Sequence, residues 1–413
     1  MTRLSRYIVS AGLVGVLASP AVASAQNQTT GTPATRQDIL RLKRAEKAEL
    51  LESYIVSPAE SRVQAFEKMN FPANVFQRGW RQLRPVIGGM PSGSGFVGGI
   101  GYHNGLDNEA LEFEAAARVS SRLFTSYDAQ LRVPAASSES PVRLQVGVRN
   151  SDFRGLRFFG IGPDTPSNDR TTYQLLENAL DVDLSAEAGR FLSFGVHAGW
   201  LGAEADSGLF GTSLEERFDP ASVNGFDMST NYAHYGAEVV LDLRDLTEPG
   251  AGVVLRGEVT EYDDLELERF DFTRVAAEVQ LYVPLGVRSR MLALRARTSR
   301  SAGDAGSVVP FYLMETLGGG STIRGFREFR FRDRQTLLLN AEYRWEIWTY
   351  LDLAVFADAG KVFSDSSDLD LHGLETAIGF GLRGHGPAGT VLRFDLARSE
   401  EAIKVHIGGG PSF

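Results

Sequence analysis

Hydrophobic and polar residues alternate one by one over much of the chain after residue 94. The clearest stretch is 334–347, in which the apolar positions are Leu337, Leu339, Ala341, Tyr343, Trp345 and Ile347. The polar positions between them are Asn340, Glu342, Arg344 and Glu346. Successive side chains of a β-strand point to opposite faces, so a period of two predicts a strand with one apolar and one polar face. The pattern recurs at 142–149, 272–283 and 402–407.

The alternating runs and the turn residues between them mark a series of candidate strands. These lie near 94–104, 109–121, 124–134, 141–151, 171–187, 190–202, 231–243, 251–263, 270–283, 287–300, 334–347, 350–361, 372–384, 388–398 and 402–412. A bacterial single-chain barrel has an even number of strands, because both of its ends face the periplasm. We therefore expect about sixteen strands, with about fourteen as the alternative, and we expect a strand to be missing before residue 152.

Two kinds of sheet produce this alternation. A water-soluble sheet buries its apolar face in a core, whereas a membrane barrel turns its apolar face to lipid and its polar face to a wet lumen. The polar faces here repeatedly carry charges of both signs, and the strands have the roughly ten residues that a tilted strand needs to cross hydrocarbon. Tyr343 and Trp345 lie near a strand end, where an aromatic girdle forms. We predict an all-β, transmembrane antiparallel β-barrel.

The first residues have the features of a signal peptide. Arg3 and Arg6 precede a short apolar run, and Ala23-Ser24-Ala25 is the small-x-small pattern of a cleavage site. We therefore predict a signal peptide over 1–25, cleaved after Ala25, with an ordinary N-terminal helix or anchor as the alternative. Residues 26–92 are predicted to be a short helical, periplasmic or plug-like extension and linker, and residues 93–413 the barrel. Export of a barrel implies the outer membrane of a Gram-negative bacterium.

Composition removes several classes of function. The chain has no cysteine, which excludes thiolate catalysis and cysteine metal sites, and its net charge of −10 disfavours nucleic-acid binding. The six histidines show no metal-ligand spacing, and neither a Gly-x-Ser-x-Gly elbow nor a P-loop occurs. Ser193 and His197 share a strand face, but no third catalytic group is identifiable. We expect no enzyme, no cofactor and no metal site.

Three segments in order carry a family resemblance. The segment LGGGSTIRGFREF (317–329) resembles the loop-six signature of the BamA/TamA family, also called bacterial surface antigens, through Gly318, Gly319, Arg324, Gly325 and Phe326. The segments 338–347 and 354–363 resemble the next two strands of that family, with Glu342, Asp358 and Gly360 at the matching positions. The last residue, Phe413, is similar to the terminal aromatic that acts as a C-terminal assembly signal in such barrels.

The resemblance implies that Arg324 folds back into the barrel and pairs with the carboxylates of Glu342 and Asp358. The alternation supports this, because both acids fall on the polar, lumenal face of their strands. A guanidinium fork that meets carboxylates in a shielded space makes a strong, directional contact. The alternative is that Arg324-Gly325 is an exposed turn and that the acids are ordinary lumenal charges.

The family also implies a function. Its members insert or translocate proteins or lipids at the outer membrane through a weak seam between the first and last strands, here taken as 94–104 and 402–412. Expected partners are outer-membrane lipids and lipopolysaccharide, the assembly machinery during the protein's own insertion, and client outer-membrane proteins, but no nucleic acid. No POTRA domain is recognisable in residues 26–92, so the chain resembles short members of the family. A passive channel or structural barrel that has lost the assembly role is therefore the alternative, and a surface adhesin or receptor is a third class.

Overall fold

The computed structural model describes residues 82–413, except 106–110, 134–141, 245–250, 287–289, 305, 349, 387–388 and 411. The predicted signal peptide, its cleavage site at Ala25 and the predicted helices of the extension lie outside these residues. Among the described residues, no helix combines the length and the hydropathy needed to cross a membrane.

The described residues form one antiparallel sheet of sixteen strands, in which each strand pairs with the next one along the wall. Fifteen of them coincide with the candidate strands, and the sixteenth precedes residue 152, so the predicted fold and strand count are confirmed. The strands are β1 (Leu83–Ile87), β2 (Val97–Gly105), β3 (Glu112–Ser120), β4 (Thr125–Val133), β5 (Val142–Phe158), β6 (Thr171–Ala188), β7 (Leu192–Ser207), β8 (Met228–Asp242), β9 (Gly252–Asp264), β10 (Phe272–Pro284), β11 (Arg290–Gly303), β14 (Gln335–Trp348), β15 (Leu351–Phe363), β16 (Glu375–Gly386), β17 (Gly389–Ser399) and β18 (Ile403–Gly408). A separate pair, β12 (Glu315–Leu317) and β13 (Phe331–Asp333), lies within the β11–β14 connection.

The first strand, β1, was not predicted, and it moves the start of the barrel. It begins at Leu83, before the predicted boundary at residue 93, and pairs with β2. Five residues are too few to show an alternating pattern, and Pro85 normally indicates a turn. Proline is acceptable here because β1 lies at one end of the sheet order, where one side of the strand needs no ladder hydrogen bond.

The two faces of the wall are as the alternation predicts. On β10 and β16, the apolar side chains of Val275 and Ile378 are 50% and 64% exposed on the outer face. On β14, the polar side chains of Asn340 and Glu342 are buried on the inner face. This inversion of a soluble core is stable only where lipid covers the outer face.

The long connections pack together over one end of the barrel. The β11–β14 connection, residues 304–334, is called the lumenal loop below. Its Phe311 is fully buried in a hydrophobic cluster with Phe158 of β5 and Leu214 of the β7–β8 connection. Arg332 donates hydrogen bonds to the Phe311 carbonyl oxygen (2.5 Å) and to the Tyr173 hydroxyl (3.2 Å). The lumenal loop thus packs against the other long connections on one side and against the barrel wall on the other.

Candidate functional site

Arg324, Gly325 and Phe326 follow a glycine turn in the lumenal loop. Gly318 and Gly319 both adopt positive φ, at 113° and 93°. A Cβ atom on Gly318 would lie 2.0 Å from the Arg327 carbonyl oxygen, so only glycine fits. Thr322 closes the turn, because its hydroxyl donates to the Gly318 carbonyl oxygen at 2.9 Å and accepts from the Gly318 N–H at 2.9 Å. The turn directs the next residues towards the barrel wall.

Arg324 meets both carboxylates that the sequence singled out. Its Nε and Nη2 atoms donate to the two oxygens of Asp358 on β15, at 2.8 and 2.7 Å. Its Nη1 atom donates to Glu342 on β14 at 2.8 Å, and its guanidinium carbon lies 3.4 Å from the centre of the Phe356 ring. The arginine is only 2% exposed. Burial by itself would lower the pKa of Arg324, but Asp358 and Glu342 raise it above the ordinary arginine value, so the group stays charged.

The structure adds charged residues that the motifs did not reveal. Arg383 of β16 donates to Asp395 of β17 at 2.6 Å and to Glu342 at 3.1 Å. Arg344 donates to Glu342 at 2.9 Å, and Arg393 lies 3.2 Å from Asp395. Their signal in the sequence was only their place on the polar faces of their strands. Together with Arg324 and Asp358, they form the arginine network, whose members are Arg324, Arg344, Arg383, Arg393, Glu342, Asp358 and Asp395.

The glycines of the motifs let the loop approach the wall closely. A Cβ atom on Gly325 would lie 2.6 Å from the Ala377 Cβ and 2.7 Å from the Ser399 Cβ. A Cβ atom on Gly360 would lie 2.7 Å from the Leu337 carbonyl oxygen. Phe326 is fully buried and packs edge-on against Phe331, with ring centres 5.0 Å apart. These residues seat the lumenal loop on the wall around Arg324.

The C-terminal residues also reach this site. His406 of β18 lies with its Nε2 atom 2.6 Å from the Arg324 carbonyl oxygen. The Ser412 hydroxyl donates to Glu342 at 2.9 Å, and the Phe413 ring lies 5.5 Å from the guanidinium carbon of Arg344. Phe413 therefore lies against the lumenal face of the wall, which the sequence did not predict. Its role as an assembly signal stays a prediction.

Ser193 and His197, which the sequence placed on one strand face, lie on β7, away from the strands that carry this site. His197, on the same strand as Ser193, has its Nε2 atom 3.1 Å from the Thr260 hydroxyl. His234 lies 3.2 Å from Asp181. In the part of the chain that the structure describes, no three acidic or histidine side chains are grouped so that they could hold a metal ion.

Comparisons with known proteins place this geometry in context. Residues 229–409 match the sequence profile of the Omp85 superfamily domain. The chain is similar to BamA from Haemophilus ducreyi lacking POTRA domains 1–3, with 14% identity, a TM-score of 0.56, and coverage of 79% of this chain and 69% of that one. It is also similar to CdiB from Escherichia coli, with 12% identity, a TM-score of 0.51, and coverage of 79% of this chain and 61% of that one, less than two thirds of CdiB. No curated protein sequence matches the chain.

Proposed function

The chain carries an Omp85 superfamily domain in a barrel of the BamA fold, and on this premise we propose that it helps to insert or translocate proteins or lipids at the bacterial outer membrane. The family resemblance predicted from the three motifs is thereby confirmed. The activity itself is the proposal, and outer-membrane lipids, lipopolysaccharide and client outer-membrane proteins are its proposed partners. The observation that carries the proposal is a contrast in strand length. The two strands at the ends of the sheet are short, whereas the wall beside one of them has long strands joined by the arginine network.

The seam consists of the two strands at the ends of the sheet order, β1 and β18. They have 5 and 6 residues, whereas β14 and β15 have 14 and 13. A backbone hydrogen bond contributes on the order of 1 kcal/mol net, so a contact between such short strands opens more readily than one between long strands. The freed edges can then pair with an incoming strand. The first seam strand is β1, not the predicted 94–104 segment, which forms β2.

The glycines near the predicted seam have a local explanation. Gly99 lies in β2, and a Cβ atom there would lie 2.2 Å from the Ala117 carbonyl oxygen of β3. A Cβ atom on Gly101 would lie 3.1 Å from a Val86 methyl carbon of β1. Both glycines therefore allow close packing of β1, β2 and β3. The proposed weakness of the seam rests on the shortness of β1 and β18.

The arginine network stiffens the part of the wall next to β18, from β14 to β17. Arg324 ties the lumenal loop to β14 and β15, and Arg383 ties β14 to β16 and β17. His406 brings β18 itself into contact with the Arg324 backbone. A stiff wall beside a weak seam would confine opening to one place. This arrangement supports a gate between β1 and β18.

A cysteine lock across the seam tests this function, and the absence of native cysteines makes the lock unambiguous. One cysteine is placed in Leu83–Ile87 and one in Ile403–Gly408, scanning pairs until a disulfide forms. We expect the oxidised variant to lose rescue of a deletion strain and the reduced variant to regain it. The matched control is the pair Tyr102→Cys and Ala115→Cys, which are partners across β2 and β3. Full rescue by the locked seam would exclude gating.

A passive channel is the second candidate function. The lumenal loop and the arginine network occupy the interior beside β14–β17, which favours a narrow path. In planar bilayers we expect small, flickering conductance. A large and steady conductance would favour the passive channel instead.

A further inference from the structure

Five cationic side chains gather at the end of the barrel that carries the long loops. They come from the β3–β4 turn, the end of β5, the β5–β6 connection, the lumenal loop and β18, and they are Arg122, Arg157, Arg170, Arg327 and Lys404. Arg157 lies within electrostatic range of the other three arginines. Lys404 lies within range of Arg327, Arg157 and Arg170. This set is called the cationic cluster.

The turn at Gly93 shows how the first two members converge. Arg122 donates from Nη1 to the Gly93 carbonyl oxygen at 3.0 Å. A Cβ atom on Gly93 would lie 3.9 Å from the Nη2 atom of Arg157. The β1–β2 connection thus lies against two guanidinium groups, one from the β3–β4 turn and one from β5. Arg122 and Arg170 are exposed, and Arg157, Arg327 and Lys404 are half-buried, so a ligand can reach the cluster.

The protein neutralises only part of the positive charge of the cluster. Within the described ranges, none of its five members forms a salt bridge, unlike the arginines of the arginine network. Two acids lie within electrostatic range, Glu328 and Glu401, and both have other partners. Glu328 accepts a hydrogen bond from the Ser92 N–H, and Glu401 pairs with Arg330 at 2.6 Å. Like charges from five segments repel one another unless an anion joins them.

We propose that the cationic cluster binds a phosphate-bearing anion at the loop end of the barrel. Four of its members are arginines, whose planar forks match phosphate oxygens in pairs, and partial burial strengthens the contacts of Arg157, Arg327 and Lys404. A phosphorylated glycolipid headgroup and a soluble phosphate compound present the same chemistry. If the cluster were only a solvated surface patch, neither of these two ligands would show saturable binding. One member, Lys404, lies on the seam strand β18, but anion binding does not require the seam to open, so the site can be tested separately from the proposed function.

Binding to the purified full-length barrel in uncharged detergent tests the site, with calorimetric titration of two probes. The probes are inorganic pyrophosphate and micelles of bis-phosphorylated lipid A, with dephosphorylated lipid A as the reference lipid. We expect saturable binding of a phosphorylated probe that weakens as salt is raised. Binding of pyrophosphate would indicate a soluble source, and binding of bis-phosphorylated lipid A alone would indicate a lipid headgroup.

Charge reversal locates the binding. Arg157→Glu and Arg327→Glu together are expected to weaken binding at least tenfold. Arg170→Glu, in an exposed loop where folding is not at risk, is expected to weaken it by a smaller factor. The control is Arg190→Glu, an exposed arginine in the β6–β7 turn at the opposite end. Absence of binding by both probes, or equal affinity of the Arg170 and Arg190 variants, would overturn the proposal.

Discussion

Replacing Arg324 with alanine is expected to destabilise the folded barrel by about 3–5 kcal/mol, the cost of removing one partner from a buried ion pair. Asp358 loses the most hydrogen bonds, because among the described residues it keeps the Asn340 amide at 2.8 Å and the backbone N–H of residue 324 at 3.1 Å. Glu342 is still paired with Arg344 and Arg383. Stepwise heating followed by gel electrophoresis measures this loss of stability, as the temperature at which the folded band is replaced by the unfolded band.

Two further variants separate charge from geometry in this prediction. Arg324→Lys keeps the charge but loses the fork, so we expect an intermediate melting temperature. Adding Asp358→Asn to the alanine variant removes the unpaired charge, and we expect part of the stability to return. The control is Arg398→Ala, an exposed arginine on β17. If the Arg324→Ala and Arg398→Ala variants have the same melting temperature, Arg324 does not fasten the lumenal loop.

Replacing Gly325 with valine is expected to lift the lumenal loop off the wall without removing any charge. The first added carbon would meet the Ala377 Cβ at 2.6 Å, the Ser399 Cβ at 2.7 Å and the Ser399 nitrogen at 2.9 Å. Two of these contacts are with β17, whose backbone cannot move without disturbing its ladders with β16 and β18. Overpacking of this kind costs about 1–3 kcal/mol, enough to favour a displaced loop.

Limited proteolysis reports the position of the loop in that variant. Trypsin cleaves after arginine, and we expect faster cleavage at Arg327 when the loop is displaced, since local opening governs access. The control is Gly147→Ala on β5, where the nearest atom to the new carbon is the Ala129 carbonyl oxygen at 4.0 Å. An unchanged cleavage rate in the Gly325 variant would mean that the wall tolerates the extra carbons.

Much of the barrel was predictable because successive side chains of a strand alternate between its two faces, so the face of each residue follows from its neighbours in sequence. Glu342 and Asp358 could be assigned to the lumen from the residues beside them, and both prove to be buried there. The glycine turn at Gly318 was also predictable, because left-handed backbone selects glycine within a few residues of sequence. The resemblance to the BamA/TamA family likewise rested on three local motifs in order along the chain.

Other features were decided by which strands become neighbours. β1 is too short to be recognised by periodicity, and its place at the seam depends on pairing with β2. Arg383 and Asp395 carry no motif, and they join Glu342 only because β14, β16 and β17 curve around one lumen. Phe413 meets Arg344 for the same reason.

The sequence by itself therefore predicted a transmembrane β-barrel and the face of each strand, and its resemblance to the BamA/TamA family implied the carboxylate partners of Arg324. Only the tertiary structure decided where the seam lies, which further charges complete the arginine network, and which cations gather at the loop end of the barrel. The physical reason is range: alternation and turn chemistry act between residues close in sequence. Contacts across the lumen instead depend on closing a wall of sixteen strands.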